Sequence, residues 1–322
     1  MKKVISLAIS LGILAILYTK IDLAGLVSVF QNCDRIWMFV SLAMVVPITL
    51  ATSWRLQQLM PVEGTLGFLE ANRLILAASV LNMVLPSKMG DIAKAYFMRD
   101  RGHLSGSLAL SLVVFEKACD MLSLLLWCGF GLFFYPDKNW FFWGMTAGIV
   151  SGFGLGISLL GSKSIANLFF RQGKKIAPKK LRSKLEKLHI SWGEMHDYFW
   201  KSRRQLAKIT GTSVLIWLLH LLQIWFFILA LKAWVPFLTN LALSPLAILA
   251  GLLPLTFAGV GTRDAALIWF YQPYFNEVTG AALGLLCTSR YFLPAIGGLP
   301  FLGQFLATLR GSRPAHSEIQ DN

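Results

Sequence analysis

The chain has 322 residues, of which 56% are apolar and only 14% charged, against about 25% charged in a typical soluble domain. Mean hydropathy is +0.61, and the net charge of +14 gathers between apolar runs, which points to membrane orientation and not to nucleic acid. This excludes a secreted disulfide scaffold, a disordered chain and a DNA-binding domain, and predicts an all-α polytopic membrane protein.

In chain order, Met1-Lys2-Lys3 precedes an apolar run, Val4–Tyr18. No A-x-A-like cleavage site follows, so the run reads as an uncleaved first helix. Further full spans are expected at Ile36–Trp54, Ser105–Tyr135, Trp140–Leu160, Ile209–Leu231 and Val278–Leu309. Two apolar runs are shorter. Leu74–Leu85 is followed by Pro86-Ser87-Lys88-Met89-Gly90-Asp91, and Leu243–Phe257 by Ala258-Gly259-Val260-Gly261-Thr262-Arg263-Asp264. A helix of about twelve residues covers about 18 Å of a core about 30 Å thick. Each short run is therefore a candidate re-entrant segment, the alternative being an ordinary broken span.

Charge sets the orientation. Between Lys163 and Lys208 lie 13 Lys/Arg and three acids, Glu186, Glu194 and Asp197, which predicts a cytoplasmic loop. Lys2, Lys3, Arg55, Arg99, Arg101, Arg310 and Arg313 then fall on the same side. The expectation is six crossings, two re-entrant segments and both termini cytoplasmic, in a plasma (inner) membrane. Residues 1–309 form one transmembrane domain, with a basic amphipathic loop at 162–208 and a polar tail at 310–322. In that loop Leu181, Leu185, Leu188, Trp192, Met195 and Phe199 recur every three or four residues, one helical stripe. It is expected to lie on an anionic membrane surface, the alternatives being the protein's own cytoplasmic face or a second subunit.

Segments 55–135 and 240–309 resemble each other. Leu85-Pro86, Gly90-Asp91 and Gly106 match Leu253-Pro254, Gly261, Asp264 and Gly280. Asp91 to Gly106 is 15 residues and Asp264 to Gly280 is 16. Three crossings separate them, so they form an inverted repeat, a transporter signature with its site near the bilayer midplane.

Charges within spans are costly and call for a partner or a cavity. The span Ser105–Tyr135 carries Glu116, Lys117 and Asp120, and Arg290 holds the position matching Glu116. A Glu116–Arg290 pair at the repeat interface is expected, as a structural lock or a functional element. Lys88, Asp91, Lys94, Arg263 and Asp264 stand beside Pro/Gly breaks, where freed backbone N–H groups favour an anionic head group. Lys94 could equally snorkel to the interface. Cys119, Cys128 and Cys287 read as small buried hydrophobes. Gly144, Gly148, Gly152 and Gly156 read as a stripe for close helix packing. His220 and Gln223 read as interhelical hydrogen-bonding groups, with a proton relay through His220 left open. No catalytic motif, metal-ligand cluster or cofactor site is seen.

The run Asn82-x-x-Leu85-Pro86-x-x-x-Gly90-Asp91, then Glu116-Lys117-x-x-Asp120, then Pro254 with Gly259-x-Gly261-x-Arg263-Asp264, resembles the lysylphosphatidylglycerol synthase transmembrane-region family, also called flippase-like. The resemblance covers nearly the whole chain. It implies a membrane protein that moves or handles phospholipids or lipid-linked sugars. The family commonly has Glu at the positions of Asp91 and Asp264, and Arg at those of Lys88, Lys94 and Lys117. These swaps keep the charge but lose the bidentate Arg fork, which leaves room for a different head group. In the synthases this region is joined to a soluble aminoacyl-transfer domain; with only a short polar tail after Arg310, that activity is not expected here. The leading expectation is a lipid flippase or transporter. The alternative is a membrane-embedded lipid-modifying enzyme or an accessory subunit of a lipid or glycolipid synthase. The protein partners left open are a second copy of the chain or such an enzyme.

The orientation makes a direct prediction. A cysteine near Lys175 should be shielded from impermeant thiol reagent added outside intact cells, and one near Asp137 should label. Reversed labelling would overturn the orientation, and labelling of both sites the crossing count.

Overall fold

The computed structural model describes residues 23–60, 66–84, 89–101, 104–135, 138–252 and 261–311. The expected first span Val4–Tyr18, Lys88, the stretch around Pro254 and most of the polar tail lie outside them. Among the described residues every regular element is a helix. They are α1 (Leu23–Gln31), α2 (Arg35–Ala43), α3 (Val45–Leu59), α4 (Phe68–Val84), α5 (Met89–Arg101), α6 (Gly106–Phe133) and α7 (Trp140–Gly161). There follow α8 (Lys163–Ile176), α9 (Lys179–Trp200), α10 (Arg203–Ala230), α11 (Phe237–Leu252), α12 (Thr262–Tyr271) and α13 (Glu277–Gly311).

Local chemistry sets the helix ends. The Asp34 carboxylate accepts from the backbone N–H of Ile36 and Trp37 and starts α2, filling donors that have no partner in the first turn. Ser105, Asn139 and Ser202 cap α6, α7 and α10 in the same way. The break between α2 and α3 falls at Met44. Pro47 follows three residues later, and it can neither donate to the Ala43 carbonyl nor avoid its ring's clash with it.

Four helical stretches are long and apolar enough to cross a membrane: Arg35–Leu59, Trp140–Gly161, Arg203–Ala230 and Glu277–Gln304. Helix α6 has 28 residues, about 42 Å at 1.5 Å per residue, but carries Glu116, Lys117 and Asp120. The span expected to end at Trp54 runs on to Leu59, so Arg55 lies inside it and not in a basic loop.

Helix α4 packs along α13, and α11 along α6. Helix α5 packs on both α4 and α6, and α12 on both α11 and α13. Some of these approaches leave no room for a side chain. A Cβ on Gly298 would stand 2.1 Å from the carbonyl oxygen of Leu76, and one on Gly90 2.2 Å from that of Ala78. The glycine stripe of α7 is only half used. Gly152 and Gly156 approach Leu125 and Leu122 of α6, while Gly144 and Gly148 have no neighbour within 4 Å. That corrects the expectation of a packed stripe along the whole helix: the first half of α7 packs through larger side chains, Phe142 and Ile149, which are buried.

Two apolar cores result. One gathers Leu124, Phe227, Ala242, Leu267 and Leu283 from α6, α10, α11, α12 and α13. The other gathers Leu56, Leu74, Phe97, Leu112 and Phe199 from α3, α4, α5, α6 and α9. Helices α6 and α10 contribute to both. Cys119, Cys128 and Cys287 are free and buried, as expected. Gln223 of α10 donates to the Ser41 carbonyl of α2 at 3.0 Å, an interhelical bond as read from the sequence.

The amphipathic stripe of α9 is divided. Met195 and Phe199 are buried, and Phe199 stacks on Phe115 of α6 with centroids 4.0 Å apart. Trp192 and Trp200 donate to the carbonyls of Leu159 and Leu160 at the end of α7. This half of α9 therefore packs on the protein's own face and not on lipid, because aromatic groups of α6 and open carbonyls at the α7 terminus are there to meet it. Leu181 and Leu188 stay exposed.

The α4–α13 contact carries a prediction. Gly298→Val should destabilise the protein by about 1–3 kcal/mol or more, since overpacking forces backbone shifts. Gly303→Ala, with nothing within 4 Å, should not. Thermal unfolding of the purified protein in detergent measures both.

Candidate functional site

Six charges from three helices close into a ring of alternating sign. Arg55 of α3 donates to Glu116 Oε1 at 2.8 Å and also pairs with Asp120. The other oxygen of Glu116 takes Lys94 of α5. Lys94 lies 3.7 Å from Asp91, Asp91 lies 3.2 Å from Lys117, and Lys117 lies 3.9 Å from Asp120. Asp120 returns to Arg55. Three cations face three carboxylates, so the ring is neutral as a whole.

Helical spacing makes the ring possible. Asp91 and Lys94 are three apart on α5, and Glu116 and Asp120 four apart on α6, so each pair shares a face. Arg55 enters from α3 with its planar fork spread over both α6 carboxylates, a geometry Lys cannot reproduce. Its Nη1 also donates to Ser213 Oγ of α10 at 3.0 Å. Burial is graded around the ring. The side chains of Arg55, Glu116 and Lys94 are 2–3% exposed, Asp91 15%, Asp120 22% and Lys117 46%. One arc is sealed in the bundle and the other faces outward.

A second charged pair opens α12. The Gly261 N–H donates to Asp264 Oδ2 at 3.1 Å, with Gly261 at φ 98°, where a side chain would be strained. Arg263 Nε donates to Asp264 Oδ1 at 2.9 Å, and its Nη2 to the Gly284 carbonyl at 3.1 Å and Thr288 Oγ1 at 2.6 Å. Both side chains are buried. A Cβ on Gly284 would stand 3.0 Å from the Asp264 carboxylate, so glycine lets α13 approach the pair. Nearby, Asn240, Ser244 and Tyr271 hydrogen-bond to one another and tie α11 to α12.

Arg290 of α13 differs from these. It is 6% exposed. Its Nη2 donates to the Tyr291 hydroxyl at 3.2 Å, while Nε and Nη1 have no hydrogen-bond partner. Among the described residues no carboxylate pairs with it. On α13 it stands two residues beyond Thr288, which accepts from Arg263. His220 has its Nδ1 buried without a partner.

The expected Glu116–Arg290 pair is not formed. Both oxygens of Glu116 are already taken, by Arg55 and Lys94, and Arg290 turns to Tyr291. Glu116, Lys117 and Asp120 do form a network, with Lys94 and Asp91 in it. Lys94 is buried and does not snorkel. Arg263 and Asp264 neutralise each other. Lys88 lies outside the described residues. The residue missed from the sequence is Arg55, whose signal was an Arg one position beyond an apolar run too uninterrupted to end there.

Removing one partner from a buried ion pair costs about 3–5 kcal/mol, because the other is left unpaired. Arg55→Gln should cost that much in thermal unfolding, and Arg55→Lys less. Glu116→Gln combined with Arg290→Gln should change stability by the sum of the two single changes, whereas Glu116→Gln combined with Arg55→Gln should fall well short of additive.

A family model of the lysylphosphatidylglycerol synthase TM region matches residues 3–298. A UPF0104 membrane protein of Methanocaldococcus jannaschii is 22% identical over 319 residues, covering 92% of this chain and 93% of that protein. With the family model covering most of its length, the chain belongs to the lysylphosphatidylglycerol synthase transmembrane-region family.

Proposed function

We propose that this chain is a flippase-like lipid transporter that holds an anionic phospholipid or lipid-linked head group near the bilayer midplane. The observation that carries the reading is Arg290, a buried guanidinium with two nitrogen atoms unsatisfied and no carboxylate partner among the described residues. An uncompensated charge in the apolar interior is costly. A phosphodiester supplies the missing negative charge and acceptor oxygens in the planar geometry Arg prefers. Asp91, Lys94, Arg263 and Asp264, with Lys88 outside the described residues, are the further residues proposed to serve that head group.

The packing supports an inverted repeat. The first helix of each unit, α4 or α11, lies along the third helix of the other, α13 or α6. The middle helices α5 and α12 each touch the first and third of their own unit. The described parts of α4 and α11, 17 and 16 residues, cover about 25 Å of a core about 30 Å thick. This favours two re-entrant hairpins, α4–α5 and α11–α12, and six crossings with both termini cytoplasmic in the plasma membrane. The enzyme reading has less support, because Asp91, Glu116, Asp120 and Asp264 are each held by a cation.

Reconstitution tests the proposal. Vesicles containing the protein should move labelled phosphatidylglycerol between leaflets. Arg290→Gln should abolish the movement at unchanged folded yield, and Arg290→Lys should keep part of it. Movement by Arg290→Gln at the wild-type rate would overturn the assignment.

A further inference from the structure

Helix α8 carries an apolar stripe that no other described residue covers. Ile165, Leu168, Phe169 and Ile176 are 43%, 48%, 48% and 86% exposed, and their spacing of three, one and seven residues puts them on one face. The other side of α8 is occupied. Ala166 is buried, and Phe170 stacks on His189 of α9 with centroids 5.1 Å apart. The sequence pattern directed attention to α9, but the structure sets the uncovered apolar face on α8.

The place of α8 is fixed by what precedes it. The membrane-crossing helix α7 ends at Gly161, and the single residue Ser162 both ends it and caps α8, its hydroxyl accepting from Ile165 N. A helix that starts one residue after a span starts at the membrane surface. Between the stripe and α9 runs a groove of about 430 Å³ lined by Ser164, Asn167, Leu168, Arg171, Lys174 and His189. Leu168 belongs to both stripe and groove. Exposed Arg171 and Lys175 flank the stripe, and Lys174 reaches Glu186 at 3.1 Å.

We infer that α8 lies in the head-group layer of the leaflet it borders, its stripe among the acyl chains and its basic groove against anionic phospholipid head groups. An apolar face edged with Lys and Arg is the pattern of an interfacial helix, and anionic lipid is the charge complement. A second copy is a poor occupant, since face-to-face stripes would bring Arg171 and Lys175 of each copy against those of the other. The inference is independent of lipid movement and holds for a transporter or an enzyme alike.

Spin labels test it in the full-length protein with Cys33→Ser, the other cysteines being buried. Labels replace Ile165, Phe169, Ile176 and Asn167 in turn, in vesicles of phosphatidylcholine with or without phosphatidylglycerol. The three stripe labels should collide with oxygen more than with a water-soluble nickel complex, and Asn167, on the far side of the helix, the reverse. Phosphatidylglycerol should deepen the stripe labels, and Arg171→Gln with Lys175→Gln should remove that deepening. Stripe labels as open to nickel as Asn167 would overturn the inference. So would a deepening that survives the double substitution, or spin–spin broadening that fades on dilution, which marks a second copy.

Discussion

Six alternating charges, closed on one another inside an apolar bundle, are the constraint around which the rest of the protein is arranged. In such surroundings an ion gains stability only from its partners, and each unpaired member is penalised heavily. The ring satisfies every member twice. Arg55, Glu116 and Lys94 can be buried because their neighbours are held by three separate helices. Those helices are in turn held in register by the ring, since a slip of one turn on α6 would put one carboxylate in the other's place and leave a cation without its acid. The apolar contacts of Leu56, Phe97 and Leu112 around it supply packing, while the charges select one alignment from the many that apolar side chains alone would tolerate.

The other half of the molecule handles charge differently. At α12 one pair is satisfied between adjacent residues, Arg263 and Asp264, and anchored to α13 through Gly284 and Thr288. That arrangement fixes a helix start but binds little else. Arg290 belongs to neither of these two self-contained systems: among the described residues it has no carboxylate partner and bonds only to Tyr291.

Much of this was legible in the sequence. Apolar runs marked the helices, and the charges of α6 announced a need for partners. The partner was misread for two physical reasons. Ending a span at its first charge assumes that charge faces water, and Arg55 was placed outside on that basis although its helix continues to Leu59. Pairing Glu116 with Arg290 took equivalent positions in two repeats as neighbours, but equivalent residues meet only on the axis that relates the repeats. Helix α8 was missed for another reason. Its stripe is short and was overshadowed by the longer one of α9, whose burial depends on Phe115, a residue distant in sequence.

The ring also imposes an order on how the protein is made. Arg55 is synthesised 65 residues before Asp120 and 61 before Glu116. At 5–20 residues per second, the wait for Asp120 is about 3–13 s. Throughout that interval the α3 segment carries a guanidinium with no acid to meet it, and it cannot settle into lipid alone. Helices α3 to α6 must therefore leave the insertion machinery as one cohort, with α3 held near water or the translocon wall until α6 emerges. A charge cycle that looks like a device for stability is equally a timing rule for membrane entry, and the α3–α6 segment is the smallest piece of this chain that can be released with its ring closed.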